Sequence, residues 1–204
     1  MLEQVYLDIL DKYNTDYALA IKLWKEVEIN HSQKKRHYHT LEHLENLYRQ
    51  LLEIKDGAED WDCLMFSLFY HDIVYNSLKK DNEEKSASLA EKRMIEIGLE
   101  ASIIQKTVNI ILATKKHLIS ADVDTNYFID ADLSILGLPW SSYKKYFEGV
   151  RKEYAIYPDM IYKPGRKKVL QHFLQMDSIY KTAHFREKFE AQAKANLQKE
   201  LDFL

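Results

Sequence analysis

The stretch RHYHTLEHL, residues 36 to 44, sets His37, His39 and His43 within seven positions. Imidazole ligates divalent ions as a neutral base and carries protons near pH 7. A second piece, FYHDIVYN, puts His71 beside Asp72 at the end of the almost wholly apolar run LMFSLFY. A buried imidazole next to a buried carboxylate is costly unless both are paired or bind a cation. ILATKKH ends at His117, and IDADLSILG carries Asp130 and Asp132 inside apolar sequence. Adjacent helix positions differ by about 100° in direction. His71 and Asp72 can therefore converge on one ion over the groove between them. Positions 130 and 132 point to nearly opposite sides, so only one of the two should face a site. A mixed His/Asp set suits Mn²⁺, Fe²⁺, Ni²⁺, Co²⁺, Zn²⁺ or Mg²⁺.

Each piece alone also has a structural reading. Thr40 is a natural N-cap, which leaves His39 just outside a helix and His43 in its first turn. A buried His-Asp pair can be a plain hydrogen bond. His117, after two lysines, suits the negative end of a helix, and Glu83 and Glu84 suit the positive end. The zincin motif needs Glu directly after its first His; Thr40 stands there, which excludes it. Taken together the pieces favour a metal site.

The elements that must position these residues are helical. Five glycines and three prolines in 204 residues leave little punctuation. Ile103, Ile104, Thr107, Val108, Ile111 and Leu112 mark one apolar face, and Phe185, Phe189, Ala193, Leu197 and Leu201 recur every four residues. DNEEKSASLAEKRMIEIG has an Asp or Asn cap, acids in its first turn and Gly98 as its stop. No alternating strand pattern is present. The expectation is an all-α domain of roughly eight to ten helices, with breaks near 31–39, 76–81, 98–101, 118–125, 137–140 and 157–165. A single domain is expected over 1–204, with a metal-site core of about 30–140 and a C-terminal helical extension of about 141–204. An apolar fraction of 46% fits a globular chain. A net charge of −3 and a pI near 6.2 argue against a duplex nucleic-acid or anionic-membrane binder. Cys63 is alone and cannot form an intrachain disulfide. The N-terminus lacks an apolar leader and no run approaches the ~20 residues that span a bilayer, so a cytoplasmic location is expected.

In chain order, His43, His71-Asp72 and Asp132 resemble the H…HD…D signature of the HD-domain metal-dependent phosphohydrolases. YHTLEH, ILATKKH and ADLS are similar to segments of the cyclic-nucleotide phosphodiesterases, a distant branch. The chain most resembles a group of small bacterial predicted HD phosphohydrolases, through RHYHTLEH, HDIVY, NEEKSA, DADLSILG, YKPGRKKVL and NLQKEL, from about residue 30 to the end. The resemblance implies that His43, His71, Asp72 and Asp132 hold the metal. It makes His39 the general acid, His117 a residue orienting metal-bound water, and Glu84 (or Glu83) a base or water-orienting acid. Two departures matter. Tyr75 stands where many nucleotide-cleaving relatives place Glu, and only His117 lies where binuclear relatives carry two histidines. One divalent ion is therefore expected; the specificity-glutamine region of the cyclic-nucleotide enzymes has no clear counterpart here, so no cyclic-nucleotide specificity is expected.

Phosphate could be held by Arg36, Arg151, Lys163 or Arg166, since a planar guanidinium grips two oxygens; ordinary surface charge is the alternative. Pro164-Gly165 is expected to fix a turn beside Arg166. Tyr75 and Tyr154 could stack on a base or bind phosphate, or simply pack. The expected activity is metal-dependent hydrolysis of a phosphate ester in a small, nucleotide-like substrate. The alternative is a non-catalytic HD module that senses a nucleotide or a metal. The natural substrate and the oligomeric state stay open.

Overall fold

The computed structural model describes all 204 residues, Met1–Leu204. It is all-helical, with ten α-helices, two 3₁₀ turns and no strand. The chain divides into two compact units, Met1–Ile129 and Asp130–Leu204. The expected single domain changed character near 140; here the division falls inside a helix, α7 (Val123–Asp132).

The first unit is built from α1 (Leu2–Asp11), α2 (Tyr17–His31), α3 (Leu41–Glu53), α4 (Trp61–Tyr70), α5 (Asn82–Glu96), α6 (Ala101–Ala113) and most of α7. Its centre is α4. Every residue from Cys63 to Tyr70 is buried, because this helix is apolar on all sides. Asp60 starts it, its carboxylate accepting from the Cys63 amide at 3.0 Å. Tyr6 of α1 meets Tyr70 hydroxyl to hydroxyl at 2.7 Å, and Tyr6 and Trp24 both lie edge-on to Phe69 and tilted to each other. The helix α5 starts at Asp81 and buries Ser86, Ala87, Ala90 and Met94. Gly98 follows it at φ 77°, a left-handed stop that other residues reach only with strain.

The second unit runs from a 3₁₀ turn (Leu133–Gly137) through α8 (Trp140–Glu153) and α9 (Asp159–Gln175) to α10 (Ala183–Phe203). Phe185, Phe189, Ala193 and Leu197 are buried along α10. The helix passes so close to Gly137 that a Cβ there would fall 2.4 Å from Cβ of Phe189. Asn196 completes the junction by donating to the carbonyls of Leu136 and Leu138. Beneath it, Arg166 forms a two-pronged ion pair with Glu200 at 2.7 and 2.9 Å.

Several expectations are corrected. Pro164 and Gly165 form no turn; they lie within the first two turns of α9, where Pro164 forgoes one backbone bond. The buried face of α6 is Thr107, Ile110 and Ile111; Leu112 is exposed, one position too far round. Breaks at 12–16, 54–60 and 176–182 were not anticipated. No helix is long and apolar enough to cross a membrane.

Candidate metal centre

The loop after α2 brings residues 36–40 to the start of α3. Thr40 is the N-cap by position, with extended backbone, but its hydroxyl lies 3.5 Å from the Tyr38 carbonyl and makes no cap to an amide. His43 is the third residue of α3 and is buried.

His71 ends α4, buried, with Nδ1 3.1 Å from the Leu68 carbonyl. That bond places the proton on Nδ1 and leaves the Nε2 lone pair for something else. Nε2 of His71 lies 3.1 Å from Nε2 of His43 and 3.2 Å from Oδ2 of Asp72. The third edge, His43 Nε2 to Asp72 Oδ2, is 3.9 Å. Ligands about 2.1 Å from one ion sit roughly 3.0 Å apart at right angles and 3.4 Å apart in a tetrahedron. Two edges match that range, and the third, at 3.9 Å, is longer. A His/Asp cluster that could hold a metal ion is therefore present. Phe128 lies edge-on to the His71 ring at 5.5 Å and helps hold it.

Burial alone would raise the Asp72 carboxyl. The imidazoles of His71, His39 and His43 outweigh it and hold the group well below the usual carboxylate range. It is an anion throughout the neutral range, as a ligand must be.

His39 lies outside that triangle. Its Nε2 is 3.8 Å from Asp72 Oδ2, and its ring stacks on Tyr75 at 4.1 Å and 30°. Tyr75 thus belongs to the cluster, as a support for His39. Arg36, expected as a candidate for phosphate, donates inward to the backbone. It is buried, and its Nη1 donates to the carbonyls of His39 (3.1 Å) and Asp72 (2.7 Å), its Nη2 to that of Ile73 (2.8 Å).

The remaining expected residues are placed as follows. Glu84 is exposed on the first turn of α5, where Lys115 binds it directly and lies 3.8 Å from Glu83. His117 is half-buried beyond the end of α6, at φ 51°, a left-handed conformation costly for a side-chain-bearing residue. In the second unit, Asp132 is the half-buried last residue of α7. Asp130 pairs with the amides of Lys181 and Thr182 and with the Thr182 hydroxyl, serving the start of α10. Arg151 is spent on Asp159 and on the carbonyls of Tyr154 and Tyr157, closing the α8–α9 loop. Tyr154 packs in that loop beside Tyr157 and Tyr162. Arg166 is buried in an ion pair with Glu200. Lys163 is half-buried in a surface hollow that Asp159 and Glu200 also line.

Sequence reasoning missed His31. It is the last residue of α2, buried, with Nδ1 2.9 Å from the Val27 carbonyl. Burial and the nearby Arg36 guanidinium lower its pKa to about 3, so it is neutral. No family model matches the chain, and no curated protein or solved structure matches it.

Proposed function

We propose that the protein is a metal-dependent phosphohydrolase, with His43, His71, Asp72 and Asp132 holding one divalent ion. The observation that carries this is the triangle of donor atoms on His43, His71 and Asp72, with edges of 3.1, 3.2 and 3.9 Å. Two imidazole nitrogens are turned toward each other beside a carboxylate. Asp132 enters on its donor type and on its place in the H…HD…D pattern. When bound, the ion polarises a phosphoryl oxygen and lowers the pKa of a bound water toward neutrality.

The chain's own residues do the rest. His71 is held to one tautomer by Leu68 and keeps Nε2 free of a proton. Asp72, anionic beside His39, favours a proton on His39 Nε2. Tyr75 fixes the plane of that ring, so His39 can hand the proton to the leaving oxygen of the ester. A small phosphate ester, nucleotide-like in class, fits this chemistry. No cation of the expected set is assigned to the phosphate.

The test is equilibrium binding of Mn²⁺, Ni²⁺ and Co²⁺, with release of phosphate from nucleoside mono-, di-, tri- and cyclic phosphates and of p-nitrophenol from p-nitrophenyl phosphate. One bound ion and hydrolysis that a chelator abolishes support the proposal. One bound ion with no hydrolysis of any ester makes the protein a sensing module. No bound ion sinks the metal assignment itself.

A further inference from the structure

Arg36 has an unusual set of partners for a buried arginine. Three backbone oxygens accept from its planar fork, on two separate segments, at His39 and at Asp72 and Ile73. One of those oxygens belongs to His39 and another to Asp72. A second path runs through rings. The Arg36 guanidinium lies 5.6 Å from the centre of the Tyr75 ring, and Tyr75 stacks on the His39 imidazole. The loop 36–40 and the turn 71–75 are therefore joined by one cation at both backbone and side-chain level.

We propose that Arg36 is a positioning residue that sets the spacing between the His39 imidazole and the His71–Asp72 ligand pair. A guanidinium suits this and an ammonium does not. Its donors leave in fixed directions within one plane, so three carbonyl oxygens can be held at once. A lysine would keep the charge, reach one or two of the oxygens and fix no angle between them. Neither segment has regular structure of its own to do the work: 36–40 precedes α3 and 71–75 follows α4. The functional consequence rests on the metal reading, while the clamp itself stands on the backbone geometry alone.

The experiment compares the full chain with Arg36→Ala and Arg36→Lys by two independent readouts. Hydrogen exchange followed by mass spectrometry reports the backbone of 36–43 and 71–76. Titration with Co²⁺ reports the ligand set. Loss of a residue that orients ligands typically weakens metal binding about 10–100-fold. Arg36→Ala should show that loss, with faster exchange in both segments together. Free guanidinium at non-denaturing concentration should restore part of both, and do nothing for the wild type. Arg36→Lys should resemble Ala more than Arg. If Arg36→Ala does not fold, as judged by its helical circular dichroism, Arg36→Lys decides alone. Wild-type values for Arg36→Lys in both readouts would overturn the clamp and leave only a buried charge. Should the wild type bind no Co²⁺, the metal reading falls, and the paired change in exchange still decides for or against the clamp.

Discussion

The first unit holds two groups whose residue types could each ligate a cation. One is His39, His43, His71 and Asp72. The other is Glu59, Asp122 and Asp124. The acidic group already has its cation. Lys106 Nζ lies 2.7 Å from Asp124 and 3.1 Å from Asp122, and Asp124 also accepts from the amides of Glu59 and Asp60 at 2.9 and 2.8 Å. Its charges are settled by the fold, and it staples the start of α7 to the residues before α4. In the histidine group the partners of Asp72 are imidazoles, whose charge comes and goes with pH. Ligand-type residues mark a metal site when the fold leaves the cation to come from outside.

Asp72→Asn and Asp124→Asn test that contrast most severely. Asp72→Asn removes a ligand charge, so ion binding and hydrolysis should disappear together while thermal unfolding shifts little. Asp124→Asn should do the reverse: ion binding persists, and stability drops by about 1–3 kcal/mol, the cost of leaving a buried hydrogen-bond partner unsatisfied, while Lys106 keeps Asp122. Calorimetry and Co²⁺ titration on the two variants read both quantities. Equal loss of ion binding in both would erase the distinction.

Next in size is His39→Ala. A positioned acid contributes about 10²–10⁴ in rate. The variant should keep its metal and lose most on esters with poor leaving groups, and less on p-nitrophenyl phosphate, whose leaving oxygen needs little protonation. His43→Ala should lose metal and every activity alike. If His39→Ala also strips the metal, His39 is itself a ligand.

His31 gives a smaller, pH-dependent effect close to the same cluster. Its folded pKa is near 3, against about 6.5 when unfolded. A depressed pKa on a base means that the unfolded chain binds the proton that the folded chain refuses. Its penalty is absent above about pH 6.5 and grows as pH falls toward 3, by up to about 1.4 kcal/mol per unit. His31→Gln should flatten the fall in stability between pH 6 and 4, measured by urea unfolding. An unchanged slope would mean that His31 titrates normally.

The histidine group was legible in the sequence because its members sit in short, chemically odd runs: HD after an apolar helix, YHTLEH at the start of an amphipathic one. Helices were legible for a related reason. Gly98 and the acids at 83 and 84 lie where a cap and a first turn need them, and Phe185 to Leu197 keep a four-residue period. What was not legible depends on partners far along the chain. Arg36 and Arg166 look like phosphate ligands by type, yet their donors go to carbonyls 36–37 residues away and to a glutamate 34 residues away. No local pattern reports such pairings. Pro164-Gly165 misled because propensity describes a turn, and α9 runs through both at the loss of one backbone bond.

Glu84 carries the smallest expected effect and the sharpest test of where the histidine group ends. The resemblance assigned it a base or water-orienting role. The structure leaves it exposed, with Lys115 as its direct partner, and that lysine holds its carboxyl below the usual range. An exposed carboxylate tied to an ammonium resembles the acidic group around Lys106 more than it resembles Asp72. Exposed pairs of this kind contribute little. Glu84→Gln should therefore leave Co²⁺ affinity unchanged and hydrolysis within about twofold of wild type, far from the loss expected for a positioned acid or base. A fall of the size expected for His39→Ala, with metal retained, would mean that Glu84 leaves Lys115 when substrate binds. The boundary of the site would then move outward to include the first turn of α5.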